Sequence, residues 1–246
     1  MRALLTALIG AALLLALAAA PVVASSYTYS CDAGANNEHE YLTKDPSGSE
    51  FIYGRAQVDY LRDVDTCGAG GSSFVLPVNL DGGMLAQFGY GRIGNGSLLW
   101  LWTANVHSSP LGVLSEFPAS FSPTVGHRYI FHIAYRWEEG TWKFTVQDVD
   151  TGGSASAYDY TTTYVSSDFM WSGFEVWDDG DQMGGAGNNV YITNIGYTLD
   201  GGSGTSYFGS ADDALYKLFG DEKWYWSTYA DTTSGRAWVR SNTALH

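Results

Sequence analysis

Glu175 stands alone between Phe174 and Val176 in the stretch SGFEVWDDGDQMGG, residues 172–185, with Trp171 just before it and Trp177 just after. Gln87 has a similar setting in MLAQFGYGRI, where it is followed by two spaced glycines, Gly89 and Gly91. A carboxylate can shuttle a proton, a neutral carboxamide can donate a hydrogen bond, and indole rings can stack on a flat ligand. Successive side chains of a strand point to opposite faces. With Phe174 and Val176 inward, Glu175 shares the other face with Trp171, Gly173 and Trp177. With Met84, Ala86, Phe88 and Tyr90 inward, Gln87, Gly89 and Gly91 take the other face. Leu99 and Leu101 are assigned inward, and Trp100 and Trp102 outward. Strands adjoining in one sheet would then present Gln87, Glu175 and several tryptophans as a groove, with the glycines leaving room for a ligand to reach the backbone.

The elements that must position these residues read as strands. RYIFHIAYRW alternates Tyr129, Phe131, Ile133, Tyr135 and Trp137 with Arg128, His132 and Arg136. EEGT turns it into WKFTVQDVD, where Trp142, Phe144 and Val146 alternate with Lys143, Thr145 and Gln147, and DTGG closes the next turn. Further strands are expected at MLAQFGYGRI, LLWLWTANV, SAYDYTTTYV, WSGFEVW and NVYITNIGYTL. Seven or more short strands between turn signals predict an all-β fold, an antiparallel β-sandwich or concanavalin-like jelly roll. After the polar stretch 200–206, Ser210 as N-cap, Asp212 and Asp213 in the first turn and Gly220 past the last apolar residue predict a short helical appendage.

The first residues, Arg2 and an Ala/Leu run to Ala20, followed by PVVA, predict a signal peptide over 1–24 and a secreted, extracellular protein. The remainder divides into a β-sandwich domain over 25–199 and an extension over 200–246. A formal net charge of −14 argues against nucleic acid and anionic membrane surfaces as partners. In an oxidising compartment Cys31 and Cys67 are expected to pair as a disulfide. No metal site is expected, since the five histidines lack ligand spacing, and in the acidic loop 178–189 a solvated turn outweighs calcium binding. His132 reads as a surface residue, and no Gly-x-Ser-x-Gly elbow supports a serine mechanism.

From about Ser72 to Leu199 the order of segments resembles the glutamic peptidases of the eqolisin type, secreted β-sandwich enzymes with a glutamine–glutamate dyad. SSFVLPVNLDGG is similar to the family's tryptophan strand ending in Asp-Gly, with Phe74 in the tryptophan's place. LAQFGY resembles the strand of the catalytic glutamine, which maps it to Gln87. GFEVWDDGDQM resembles the strand of the catalytic glutamate and its acidic loop, which maps that residue to Glu175.

The resemblance implies that Glu175 takes a proton from water, Gln87 donates to the developing oxyanion, and protonated Glu175 then serves the leaving amine. It implies no cofactor. Two departures stand out. LLWLW replaces a Trp-Tyr-Glu-Trp strand, putting an apolar residue where the cleft has a glutamate, and Phe74 replaces a substrate-contacting tryptophan.

SGFEVW is also similar to the acid/base strand of some jelly-roll endoglucanases of glycoside hydrolase family twelve. A retaining glycosidase needs two carboxylates about 5 Å apart, and LLWLWTANV, where the nucleophile would lie, has no acid. Two readings follow. One is a monomeric glutamic endopeptidase acting on extracellular polypeptide at acid pH. The alternative is a non-catalytic carbohydrate-binding protein that stacks polysaccharide on Trp100, Trp102, Trp171 and Trp177.

Overall fold

A computed structural model describes residues 38–45, 48–64, 72–82, 84–106, 120–159, 167–176, 190–209, 214–219, 227–231 and 238–242. Among them every regular element is a strand. In chain order these are β1 (Glu38–Lys44), β2 (Phe51–Val58), β3 (Ser72–Gly82), β4 (Met84–Ile93), β5 (Leu99–Val106), β6 (Tyr129–Arg136) and β7 (Thr141–Asp148). They are followed by β8 (Ser154–Asp159), β9 (Ser167–Val176), β10 (Tyr191–Leu199), β11 (Ser206–Tyr207), β12 (Ala214–Phe219), β13 (Ser227–Asp231) and β14 (Trp238–Asn242). One sheet has six strands in the order β12-β1-β9-β3-β4-β5. The other has eight, in the order β13-β14-β10-β2-β6-β7-β8, with β11 paired to β10. The pairs are antiparallel.

The core lies between the sheets, as a sandwich requires. Phe88 meets Phe131 and Phe144 edge-on at 5.2 and 5.7 Å. Tyr129, Phe131 and Ile133 of β6 and Trp142, Phe144 and Val146 of β7 are buried, the faces their alternation predicts, whereas Trp137, expected on the same face, lies past the end of β6 and is exposed. β3 is buried along most of its length because it lies between β9 and β4. It carries a bulge between Val75 and Val78, where it spends three residues against two on either neighbour. Pro77 falls inside that bulge, where a missing N–H is tolerated.

The β7–β8 turn is tied by one carboxylate. Asp148 Oδ1 accepts from the Asp150 and Thr151 amides at 2.9 and 3.1 Å, and Oδ2 lies 2.8 Å from His127 Nδ1. Burial pushes its pKa up, but the hydrogen bonds from His127, Thr151 and Asp150 outweigh that and hold it below the usual aspartate value. Asp148→Ala is expected to cost about 2–3 kcal/mol, because two amides and the imidazole lose their acceptor together. A urea titration at neutral pH measures the loss.

One expectation is corrected here. The segment read as a helix after Ser210 contains β12, which pairs with β1 from Thr43↔Ala214 to His39↔Phe219. Pairing at an open sheet edge overrode the local helix signals. The two described strands before Asp65 are integral to the fold: β1 lies between β12 and β9, and β2 between β10 and β6.

Candidate functional site

The six-stranded sheet has a second face, turned away from the core, with its own apolar cluster of Tyr41, Phe74, Leu76, Leu101 and Trp171. Residue parity builds it. On β9, Met170 and Phe174 join the core while Trp171 joins the outer cluster, so Glu175 stands on the outer face. On β4, Ala86, Phe88 and Tyr90 join the core and Leu85 packs on the outer cluster, so Gln87 shares the outer face with it. Gln87 and Glu175 therefore lie on one face of one sheet, as expected.

β3 runs between them and sets their separation. Glu175 is opposite Phe74, which is opposite Gly91, whereas Gln87 is opposite Asn79, which is opposite Trp171. The two rows are four residues apart along the strands. At about 4.8 Å per strand and 3.3 Å per residue, the Gln87 and Glu175 Cα atoms lie roughly 16 Å apart. Side chains standing perpendicular to the sheet do not share one water across that gap. The residue in Gln87's own row on β9 is Trp171, whose ring lies 3.8 Å from that of Tyr41 with the planes tilted by 40°.

Asn79 holds the middle of the row. It is fully buried, and its Nδ2 donates to the carbonyls of Leu76 and Trp171 at 2.8 and 3.2 Å, which ties the bulge to β9. Its Oδ1 is buried without a hydrogen-bond partner among the described residues. On the far side of β9, the register sets His39 opposite Glu175. Sequence reasoning missed Tyr41 and Asn79. For Tyr41 the only signal was alternation along EHEYLTK, a segment too short to be phased without a partner.

The tryptophans divide. Trp171 is on the outer face but only 4 % exposed, and Phe74 and Glu175, in the other row, are 6 % and 7 % exposed. Trp100 and Trp102 were assigned to this face and are instead turned to the core. Trp100 packs on Phe121, Tyr129 and Phe131 and donates from Nε1 to the Phe121 carbonyl at 2.7 Å. Trp102 lies 4.9 Å from Phe144, and Leu99 and Leu101 take the outer face.

The space above the glycines is also filled. A Cβ on Gly89 would strike the Val75 carbonyl and Pro77, and one on Gly91 would strike the Ser73 carbonyl and the Phe74 ring. These glycines admit the bulged neighbouring strand, not a ligand. Leu85, Gln87, Leu99 and Phe169 are half-buried and belong to the accessible part of the face among the described residues. Trp177, Cys31, Cys67 and the acidic loop 178–189 lie outside the described residues.

No known protein-family profile matches the sequence, and no curated protein matches it significantly. Solved structures do. The scytalido-glutamic peptidase with a transition-state analog inhibitor matches with a TM-score of 0.60 and 14 % identity, covering 85 % of this chain and 100 % of that one. SCP-B, an eqolisin-family peptidase in complex with the tripeptide Ala-Ile-His, matches with a TM-score of 0.53 and 13 % identity over the same shares. With two antiparallel sheets in the same sandwich and so little sequence in common, this chain has the eqolisin β-sandwich fold in a far-diverged sequence.

Proposed function

We propose that this protein is secreted and engages extended polypeptide on the outer face of its six-stranded sheet, binding it without cutting it. The row Gln87–Asn79–Trp171 carries the reading. A carboxamide that is to steady an oxyanion needs the water-activating carboxylate beside it, and the β9 position in that row holds an indole. The accessible side chains Leu85, Gln87 and Leu99 offer two apolar contacts around one amide that both donates and accepts, which suits a peptide backbone with apolar side chains. The eqolisin structures that share the fold hold a peptide-based inhibitor or a tripeptide, and this supports a polypeptide ligand over a polysaccharide one. The inward turn of Trp100 and Trp102 removes half of the stacking surface on which a polysaccharide would rest at this face.

A second reading is acid-range peptide hydrolysis by Gln87 and Glu175, favoured by their common face and by the fold. Incubating denatured casein with the purified mature protein between about pH 2 and pH 7 separates the two. The expected result is a complex recoverable by size exclusion, with no new peptides and with affinity reduced about fivefold in Gln87→Ala, equivalent to about 1 kcal/mol. New peptides that disappear in Glu175→Gln would establish the hydrolytic reading instead. Neither binding nor cleavage would remove both.

A further inference from the structure

The eight-stranded sheet has a cleft of its own at the β6–β7 end, remote from Gln87 and Glu175. Tyr53, Tyr135, Arg136, Trp137, Glu138 and Thr198 line about 440 Å³ there, within the range of small-ligand sites. Trp137 is the aromatic wall of this cleft and is 56 % exposed, where most large apolar side chains of the described chain are buried. It is also held in place: Tyr135 meets it edge-on, with centroids 4.7 Å apart and planes at 83°, and Tyr135 in turn packs on buried Trp142 at 5.2 Å. A ring kept exposed and fixed costs little entropy when a flat ligand settles on it.

The polar groups narrow the ligand class. Arg136 and Glu138 flank Trp137 in sequence, so a cation and an anion border the same ring. The ion pair of Arg136 with Glu139 is long, at 3.4 Å, and both partners are about half exposed, so a ligand can take the guanidinium at little cost. Opposite charges side by side suit a neutral ligand rich in groups that both donate and accept. The chain's net charge of −14 disfavours a polyanion. A pyranose ring fits these terms: one face of its C–H groups packs on an indole, and its equatorial hydroxyls meet charged planar side chains. Tyr53 completes the floor, with its hydroxyl fixed 2.6 Å from His132 Nδ1.

We propose that this cleft is a saccharide-binding site, in which a neutral sugar chain stacks on Trp137 and hydrogen-bonds to Arg136 and Glu138. It is separate from the polypeptide face, and neither depends on the other.

The test uses the full mature chain labelled with nitrogen-15, with the Trp137 indole N–H signal identified by its loss in Trp137→Ala. Soluble linear oligosaccharides of glucose, xylose, mannose and N-acetylglucosamine are titrated one at a time. At least one is expected to shift that signal saturably. In Trp137→Ala its dissociation constant, read from the shifts of neighbouring backbone amides, should rise at least about tenfold, or about 1.4 kcal/mol. Arg136→Gln should weaken binding of the same sugar with the melting temperature unchanged, since the side chain is exposed. The proposal fails if none of the sugars shifts the signal, if the affinity of Trp137→Ala equals that of the parent, or if a polyproline peptide saturates the cleft and the sugars do not.

Discussion

Trp100→Ala is expected to remove about 3–5 kcal/mol of folding stability, roughly a fifth or more of what a domain of this kind has to spare. The reason is its place in the sandwich. The indole is 2 % exposed and wedged among Phe121, Tyr129 and Phe131, and its N–H satisfies the Phe121 carbonyl. Truncation leaves a cavity lined by rings that cannot collapse into it, together with an unpaired carbonyl. Were Trp100 a stacking platform on the outer face, the same change would abolish ligand binding and leave stability within about 0.5 kcal/mol. Urea unfolding of the variant alongside the parent distinguishes the two. A shift in midpoint with unchanged slope, and unchanged casein binding by the folded fraction, is the expected pattern.

Lowering the pH from about 6.5 to about 4 is expected to cost roughly 3 kcal/mol through His132 alone. His132 was expected as a surface residue but is partly buried, and that burial, and after it the Arg55 guanidinium, push this imidazole down to about 4. In the unfolded chain it titrates near 6.5. Above both values it is neutral in either state and contributes nothing to pH dependence. Between them the unfolded chain takes up a proton that the folded chain refuses, so stability falls as the pH falls. Below about 4 both states are protonated and the penalty is constant. His132→Gln retains an acceptor for the Tyr53 hydroxyl and does not titrate, so its stability between pH 6.5 and pH 4 should decline less than the parent's by about that amount. Parallel declines in urea midpoint would show that His132 is not the cause. An enzyme working in acid would have to do so in the window where this histidine weakens the fold.

The sequence was legible where residue types alternate cleanly. In RYIFHIAYRW the aromatic and branched apolar side chains Tyr129, Phe131 and Ile133 fall at every second position, and in WKFTVQ Lys143, Thr145 and Gln147 alternate with Trp142, Phe144 and Val146, and these residues face as expected. SGFEVW was phased by its single carboxylate. LLWLWT has apolar side chains at each position from Leu98 to Trp102, so a period of two is present in either phase. Side-chain volume decided it: the indoles fill the gap opposite Phe131 and Phe144, and the leucines go outward.

ADDALYKLF satisfies helix start and stop rules, yet it also alternates well enough to pair with β1, and that partner lies far off in the chain. Gly89 and Gly91 correctly signalled a close approach of backbone, but the approaching group is β3, at its bulge for Gly89 and at Ser73 and Phe74 for Gly91. That bulge also sets the rows across the sheet. Strand order and register depend on three strands at once, so the offset between Gln87 and Glu175 was beyond any reading of the two segments that carry them.

The placement of β12, β13 and β14 bears on how the molecule is made. β1 is bonded on one side to β9 and on the other to β12, and β10 receives β14. As the chain emerges from the ribosome, one of its earliest strands must wait for some of its latest before its backbone is paired. Contacts so distant in sequence are slow to form, and unpaired strand edges invite other chains in the meantime. Stop codons or proteolysis that remove only the final strands would therefore leave most of the described core residues in place and still yield a sticky product, because β1 would become a bare sheet edge and β10 would lose its pairing with β14.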